Sequence, residues 1–79
     1  MKEQQVKVLK FIYDYRVEHG WPPSIREIRL GVGLKSTSSV WYWLESLVGD
    51  GYITREPAIS RGIHITLLGQ EELVKRKMF

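Results

Sequence analysis

The stretch Gly20-Trp21-Pro22-Pro23-Ser24-Ile25-Arg26-Glu27 constrains this chain more than any other. A glycine followed by two prolines ends a helix arriving from the N-terminal side, because proline has no N–H to donate and its ring collides with the preceding turn. Ser24 and Glu27 then stand at the spacing of a capping box, in which the hydroxyl accepts from the backbone three residues on and the carboxylate reaches back. One helix therefore stops and another starts within a few residues. Upstream, Val8, Leu9, Ile12 and Tyr15 recur at helical spacing from about Lys2 to His19, with Val6 and Phe11 flanking them. Trp21, inside the corner, reads as a hydrophobic plug between the helices.

The second helix is short. Ile25, Ile28 and Val32 form its apolar stripe, and Gly31 and Gly33 weaken it so that it ends near Val32. A polar run, Ser36-Thr37-Ser38-Ser39, supplies the cap of a third helix, with Ser36 best placed. Its apolar face is Val40, Leu44, Leu47 and Val48, and Asp50-Gly51 closes it. Two such helices joined by a short glycine-containing turn read as a helix-turn-helix, with the first helix as support. Tyr52–Arg55 and Ile63–Thr66 then read as two strands around a loop, Glu56–Gly62, that holds Pro57, Ser60 and Gly62. In the tail, Leu67–Phe79, acids precede bases (Glu71 and Glu72 before Lys75, Arg76 and Lys77), which suits a helix dipole, and Thr66 is its cap. The expected fold is mainly α with a small β-hairpin: a winged helix-turn-helix forming one domain over 1–79, with its core in 1–66 and a C-terminal helix in 67–79.

Seventy-nine residues hold one hydrophobic core, and 43% hydrophobic with 27% charged residues is a globular balance. No apolar run approaches the roughly 20 residues that span a bilayer, so no membrane partner is expected. Cysteine is absent, which removes disulfides and thiolate chemistry and fits a reducing, cytoplasmic compartment. His19 and His64 are the only histidines, and neither stands in a motif with a carboxylate or nucleophile. GxGxxG, GxxxxGK and HExxH are all missing. The expectation is a chain that is not an enzyme and has no metal or cofactor and no legible small-molecule effector pocket. Twelve Lys and Arg against nine Asp and Glu give +3, a mild lean toward polyanions.

The run Gly20-Trp21-Pro22-Pro23-Ser24-Ile25-Arg26-Glu27-Ile28, followed by Gly33-Leu34-Lys35-Ser36, Leu44 with Leu47, Gly51-Tyr52-Ile53 and Ser60-Arg61-Gly62-Ile63, resembles the DNA-binding domain of LexA-type repressors. Val8-Leu9-Lys10-Phe11-Ile12 in the first helix fits the same pattern, and the likeness covers roughly residues 5 to 65. The resemblance implies double-stranded DNA as partner, transcriptional regulation as function and a place on the nucleoid. LexA-type repressors continue into a self-cleaving serine–lysine peptidase domain that also dimerises them, and neither property is carried over to this chain. The Ile65-Thr66-Leu67-Leu68-Gly69 stretch is instead similar to other winged-helix regulators, where it leads into a last helix. That tail, with Leu68, Leu73, Val74, Met78 and Phe79, either supports a homodimer on a two-fold site or packs back on the first helix.

The resemblance places the reading residues near the start of the third helix, at Ser36, Ser38, Ser39, Trp41 and Tyr42. Trp41 and Tyr42 are larger than is ordinary there, so the family's operator sequence is not transferred. On the helical wheel Ser38, Tyr42, Glu45 and Ser46 oppose the core direction, with Ser39 and Trp41 at the borders. Serine hydroxyls, with Thr37 beside them, serve donor or acceptor bases alike, Tyr42 can meet a base or phosphate, and Glu45 can accept from a cytosine amine. Ser36 reads first as a cap. Trp41 stays open, half-buried beside Val48 or exposed toward DNA, and Trp43 reads as packing. Ser24, at a helix N-terminus, and Lys35 suit phosphates. Arg26 is either a phosphate contact or an ordinary solvated arginine. Arg61 is the expected wing residue, reaching the backbone or minor groove, with Arg55 second. His64 reads as a surface strand residue. The competing function is a protein–protein interaction module, for which an exposed Trp41 and Tyr42 would serve as contacts.

Overall fold

The computed structural model describes residues 1–77. Helix α1 (Glu3–His19) starts where the Gln5 side chain accepts from the Lys2 N–H at 2.9 Å. It stops at Gly20, whose φ of 86° lets its N–H return to the Arg16 carbonyl at 2.8 Å. Only glycine adopts that left-handed turn without a Cβ penalty. Pro22 and Pro23, both buried, carry the chain to Ser24, where the predicted capping box forms. Ser24 Oγ accepts from the Glu27 N–H at 3.2 Å, and Glu27 Oε1 accepts from the Ser24 N–H at 2.8 Å. Helix α2 (Ile25–Val32) ends at Gly33, again left-handed, and α3 (Thr37–Gly49) starts on Ser36, whose hydroxyl accepts from the Ser39 N–H at 3.2 Å.

Strands β1 (Ile53–Arg55) and β2 (Ile63–Ile65) pair antiparallel, with Ile53 opposite Ile65, Thr54 opposite His64 and Arg55 opposite Ile63. Each is shorter than expected by one residue, because Tyr52 and Thr66 leave the ladder: the Thr66 N–H donates to the Tyr52 carbonyl at 3.1 Å, and Thr66 becomes the cap of α4 (Leu67–Lys75). Its hydroxyl accepts from the Gly69 N–H at 3.1 Å and donates to the Gly51 carbonyl at 2.6 Å, tying the tail helix to the end of α3. The architecture is mainly α with one two-stranded antiparallel hairpin, which is the winged-helix order.

Every element contributes to one core. Val8, Leu9 and Ile12 of α1, Ile28 of α2, Val40, Leu44 and Leu47 of α3, Ile53, Ile63 and Leu73 are all buried. Gly31 has a packing reason to be glycine, because a Cβ there would run into the Phe11 ring, so α1 and α2 approach closely at that point. Gln5 is a buried polar joint. Its amide donates to Ser46 Oγ at 2.7 Å and Asp50 Oδ2 at 2.9 Å, pinning the start of α1 to the end of α3.

Two packing expectations are corrected. Trp21 is 52% exposed and not a plug: the left-handed Gly20 turns the chain so that Pro22 and Pro23 fill the corner, while Trp21 lies outside, 6.1 Å from His19 between ring centroids. Val48 is 36% exposed, because eight positions beyond Val40 it has rotated to the edge of the buried stripe. In the tail, Leu73 is buried and α4 packs on α1 and β2, leaving Leu67, Leu68 and Val74 exposed. Met78 and Phe79, assigned above to the same apolar set, lie outside the described residues.

Candidate nucleic-acid interface

The start of α3 is presented to solvent on a rigid base. Val40, Leu44 and Leu47 fix one side of the helix in the core, so the opposite side, with Ser38, Tyr42 and Glu45, points outward. Lys35, Ser36, Thr37 and Ser38 are exposed, and Ser39 is half-buried with its hydroxyl 3.3 Å from that of Ser36. Tyr42, one turn on, is 59% exposed and set edge-on against Trp43, with ring centroids 4.9 Å apart and planes at 88°. Trp43 packs against the core, as expected, with Lys2 Nζ 6.0 Å over its ring. The first turns of α3 thus carry four hydroxyl side chains and one supported aromatic, with no acidic residue in the first turn.

Trp41 and Glu45 are not independent of the hairpin. The Arg55 guanidinium lies over the Trp41 ring, 4.2 Å from its centroid, and donates to Glu45 Oε1 at 2.7 Å. Trp41 remains 40% exposed, with the Arg55 guanidinium of β1 over its ring.

Arg61 stands at the far root of the wing loop, where its guanidinium meets four acceptors. Nη1 donates to Glu27 Oε1 at 2.7 Å, to the Pro22 carbonyl at 3.0 Å and to the Tyr15 hydroxyl at 3.4 Å, and Nη2 donates to Glu27 Oε2 at 3.0 Å. This bidentate pair, with the Ser24 N–H second, holds the Glu27 carboxyl down at about 2 and raises the affinity of Arg61 for its proton. The predicted wing arginine therefore faces inward, onto the corner between α1 and α2.

Between the start of α2 and the wing lies a cleft of about 440 Å³ lined by Ser24, Arg26, Trp41, both Arg55 and Arg61, and Glu56, with the wing as its outer wall. Arg26 is exposed, and Ser24 is half-buried with its hydroxyl engaged as a cap. Ser24, Arg26, Trp41 and Arg61 line this cleft, the last with its guanidinium engaged by Glu27, whereas Lys35, Ser36–Ser39, Tyr42 and Glu45 lie on α3 and the turn before it. The Tyr15–Glu27–Arg61 node and the Trp41–Arg55–Glu45 stack were not expected. Each joins residues at least ten positions apart, and capping spacing reports only the local half of what Glu27 does. Among the described residues no cluster of His, Cys, Asp or Glu can hold a metal, and no helix is long and apolar enough to cross a membrane.

A trihelical core with its third helix exposed at the N-terminal turns, followed by a wing, defines a winged helix-turn-helix. The LexA DNA binding domain profile matches residues 1–62. The LexA repressor of Lacticaseibacillus casei (strain BL23) is 42% identical over 65 residues, 82% of this chain and 31% of that protein. That of Roseiflexus sp. (strain RS-1) is 46% identical over 65 residues, 82% of this chain and 30% of that protein. That of Ligilactobacillus salivarius (strain UCC118) is 42% identical over 72 residues, 91% of this chain and 35% of that protein. This chain belongs to the LexA DNA-binding domain family, and it spans about a third of the length of these curated relatives. The family matched is a binding domain, in keeping with the expectation that the chain is not an enzyme.

Proposed function

We propose that this chain represses transcription by occupying a specific duplex site, with the first turns of α3 in the major groove. The observation that carries this reading is the set of outward side chains on the α3 start, Ser36, Thr37, Ser38 and Tyr42, on a helix whose opposite side, Val40, Leu44 and Leu47, is wholly buried. Thr37, Ser38 and Tyr42 read base edges, with Ser39 and Trp41 bordering them. Serine and threonine hydroxyls discriminate weakly between donor and acceptor edges, so Tyr42 carries a large share of the selectivity. Lys35, Arg26 and the N-terminus of α2 at Ser24 meet phosphates and set the docking angle.

One such domain makes few base contacts, so a single copy binds with modest affinity and two copies on an inverted repeat gain from effective concentration. The exposed Leu67, Leu68 and Val74 of α4 offer the surface for that pairing. Such a repressor works on the nucleoid, in the cytoplasm.

The test is selection from a random duplex library with the purified chain at near-physiological salt. An enriched inverted repeat supports a paired repressor, and its spacing gives the two-fold geometry. A single short enriched site supports a monomeric reader. No enrichment refutes the reading and turns the same aromatic surface toward protein partners.

A further inference from the structure

The two arginines that bracket the wing loop differ in one respect that decides their roles. Arg61 is held by four acceptors, three on Nη1 and one on Nη2, two of them the oxygens of one carboxylate. Arg55 has a single acceptor, Glu45 Oε1. A guanidinium carries five N–H donors in one plane, so most of those on Arg55 are unclaimed by protein. Among the described residues no buried side-chain nitrogen or oxygen lacks a partner, so the unclaimed donors of Arg55 face solvent. Arg55 lines the cleft between the start of α2 and the wing. The group is nonetheless well fixed. Its flat face rests on Trp41, its side chain is only 15% exposed, and Glu45 sets its rotation. An arginine with one face stacked, one edge anchored and the other edge free is preorganised for an oxyanion.

We propose that Arg55, and not Arg61, is the phosphate ligand of the wing, and that Trp41 and Glu45 serve chiefly to present it. This rests on the duplex-binding reading. With the α3 start in the major groove, a backbone strand bounding that groove passes the cleft between the start of α2 and the wing, whose wall includes Arg55. Trp41 is then a platform, Glu45 a rotational stop, and base selection falls to the hydroxyl residues and Tyr42. Arg61, closed on Glu27, Pro22 and Tyr15, is a positioning residue that sets the angle of the wing.

The experiment is a salt series of dissociation constants on the duplex that the wild type selects. Loss of one phosphate contact lowers the slope of log affinity against log salt by about 0.9. Arg55→Gln is expected to show that drop, to weaken binding roughly five- to twentyfold near physiological salt, and to select the same sequence. Arg16→Gln, an equal change of net charge on α1, keeps the wild-type slope. The double variant Glu27→Gln/Arg61→Gln removes a charge with its countercharge, and it weakens binding with the slope unchanged. Glu45→Gln keeps an acceptor for Arg55 while removing a negative charge near the phosphate, and it binds roughly two- to fivefold tighter. That variant decides the matter if Arg55→Gln fails to fold. An unchanged slope for Arg55→Gln, a new preferred sequence for it, a reduced slope for the double variant, or weaker binding by Glu45→Gln would each overturn the assignment. Failure of the wild type to bind any duplex would overturn the duplex reading itself.

Discussion

The carboxylate of Glu27 serves two elements at once, and acid should separate its two services. One oxygen caps α2 through the Ser24 N–H, and both oxygens accept from Arg61. In the folded chain its carboxyl titrates at about 2 against an ordinary 4.5, chiefly because of Arg61. A depression of that size corresponds to about 3 kcal/mol in a dry site. With 32% of the Glu27 side chain and 38% of the Arg61 side chain open to water, screening leaves about 1–2 kcal/mol. The folded pKa lies below the unfolded one, so the unfolded chain takes up the proton first as pH falls. The stabilisation is therefore complete above about 4.5 and is lost as pH drops toward 2. Glu27→Gln removes the charge but keeps an oxygen for the cap, since glutamine also closes a capping box. Urea unfolding followed by tryptophan fluorescence should place the variant about 1–2 kcal/mol below the wild type near neutral pH, or about 5–10 °C in Tm. The gap should narrow below about pH 4.5 and vanish near pH 2. A gap that stays constant with pH would mean that shape, and not charge, holds the wing root. No gap near neutrality would mean that the bridge contributes nothing to folding.

Three other substitutions test the packing and the reading face. Gly31→Ala gains about 1 kcal/mol of helix propensity but drives a Cβ into the Phe11 ring. It should lower stability by about 1–2 kcal/mol net in urea unfolding, with recovery when Phe11→Leu is added. Leu73→Ala should cost about 2–5 kcal/mol in the same assay, because Leu73 is 1% exposed; an unchanged melt would mean that α4 does not belong to the core. Tyr42→Ala should leave melting unchanged, weaken duplex binding by about 1–3 kcal/mol and broaden the selected sequence, and intact selectivity would place base reading elsewhere on α3.

The fold was legible wherever a local rule decided the outcome. Gly20, Gly33, Ser24, Ser36 and Thr66 punctuate the helices as their chemistry demands, and the periodicity of Val40, Leu44 and Leu47 marks the buried side of α3. Trp21 was misplaced because size and apolarity suggest burial, whereas the direction of the chain after a left-handed glycine decides it. The exposed side of the α3 start followed from the same periodicity. The arginines were harder. Arg55 and Arg61 carry the same charge on opposite sides of one loop, and nothing local tells them apart. The distinction lies in Tyr15, Pro22 and Glu27, which only the folded chain brings within reach of Arg61.

Because Arg55 and Arg61 anchor the two roots of the hairpin, the segment between them is an exchangeable tip. The Glu56 N–H closes the loop base on the Gly62 carbonyl at 2.9 Å, and Gly62 must stay glycine because a Cβ would press on the Glu56 carbonyl. That leaves Pro57–Ser60, all exposed, as a four-residue tip tied to its base through Ile59, whose N–H donates to the Glu56 carbonyl and whose carbonyl accepts from the Gly62 N–H, both at 3.1 Å. Loops of other lengths or charge can be installed there to change how far the domain reaches along a duplex. Arg55, Gly62 and Arg61 mark where such a graft must stop.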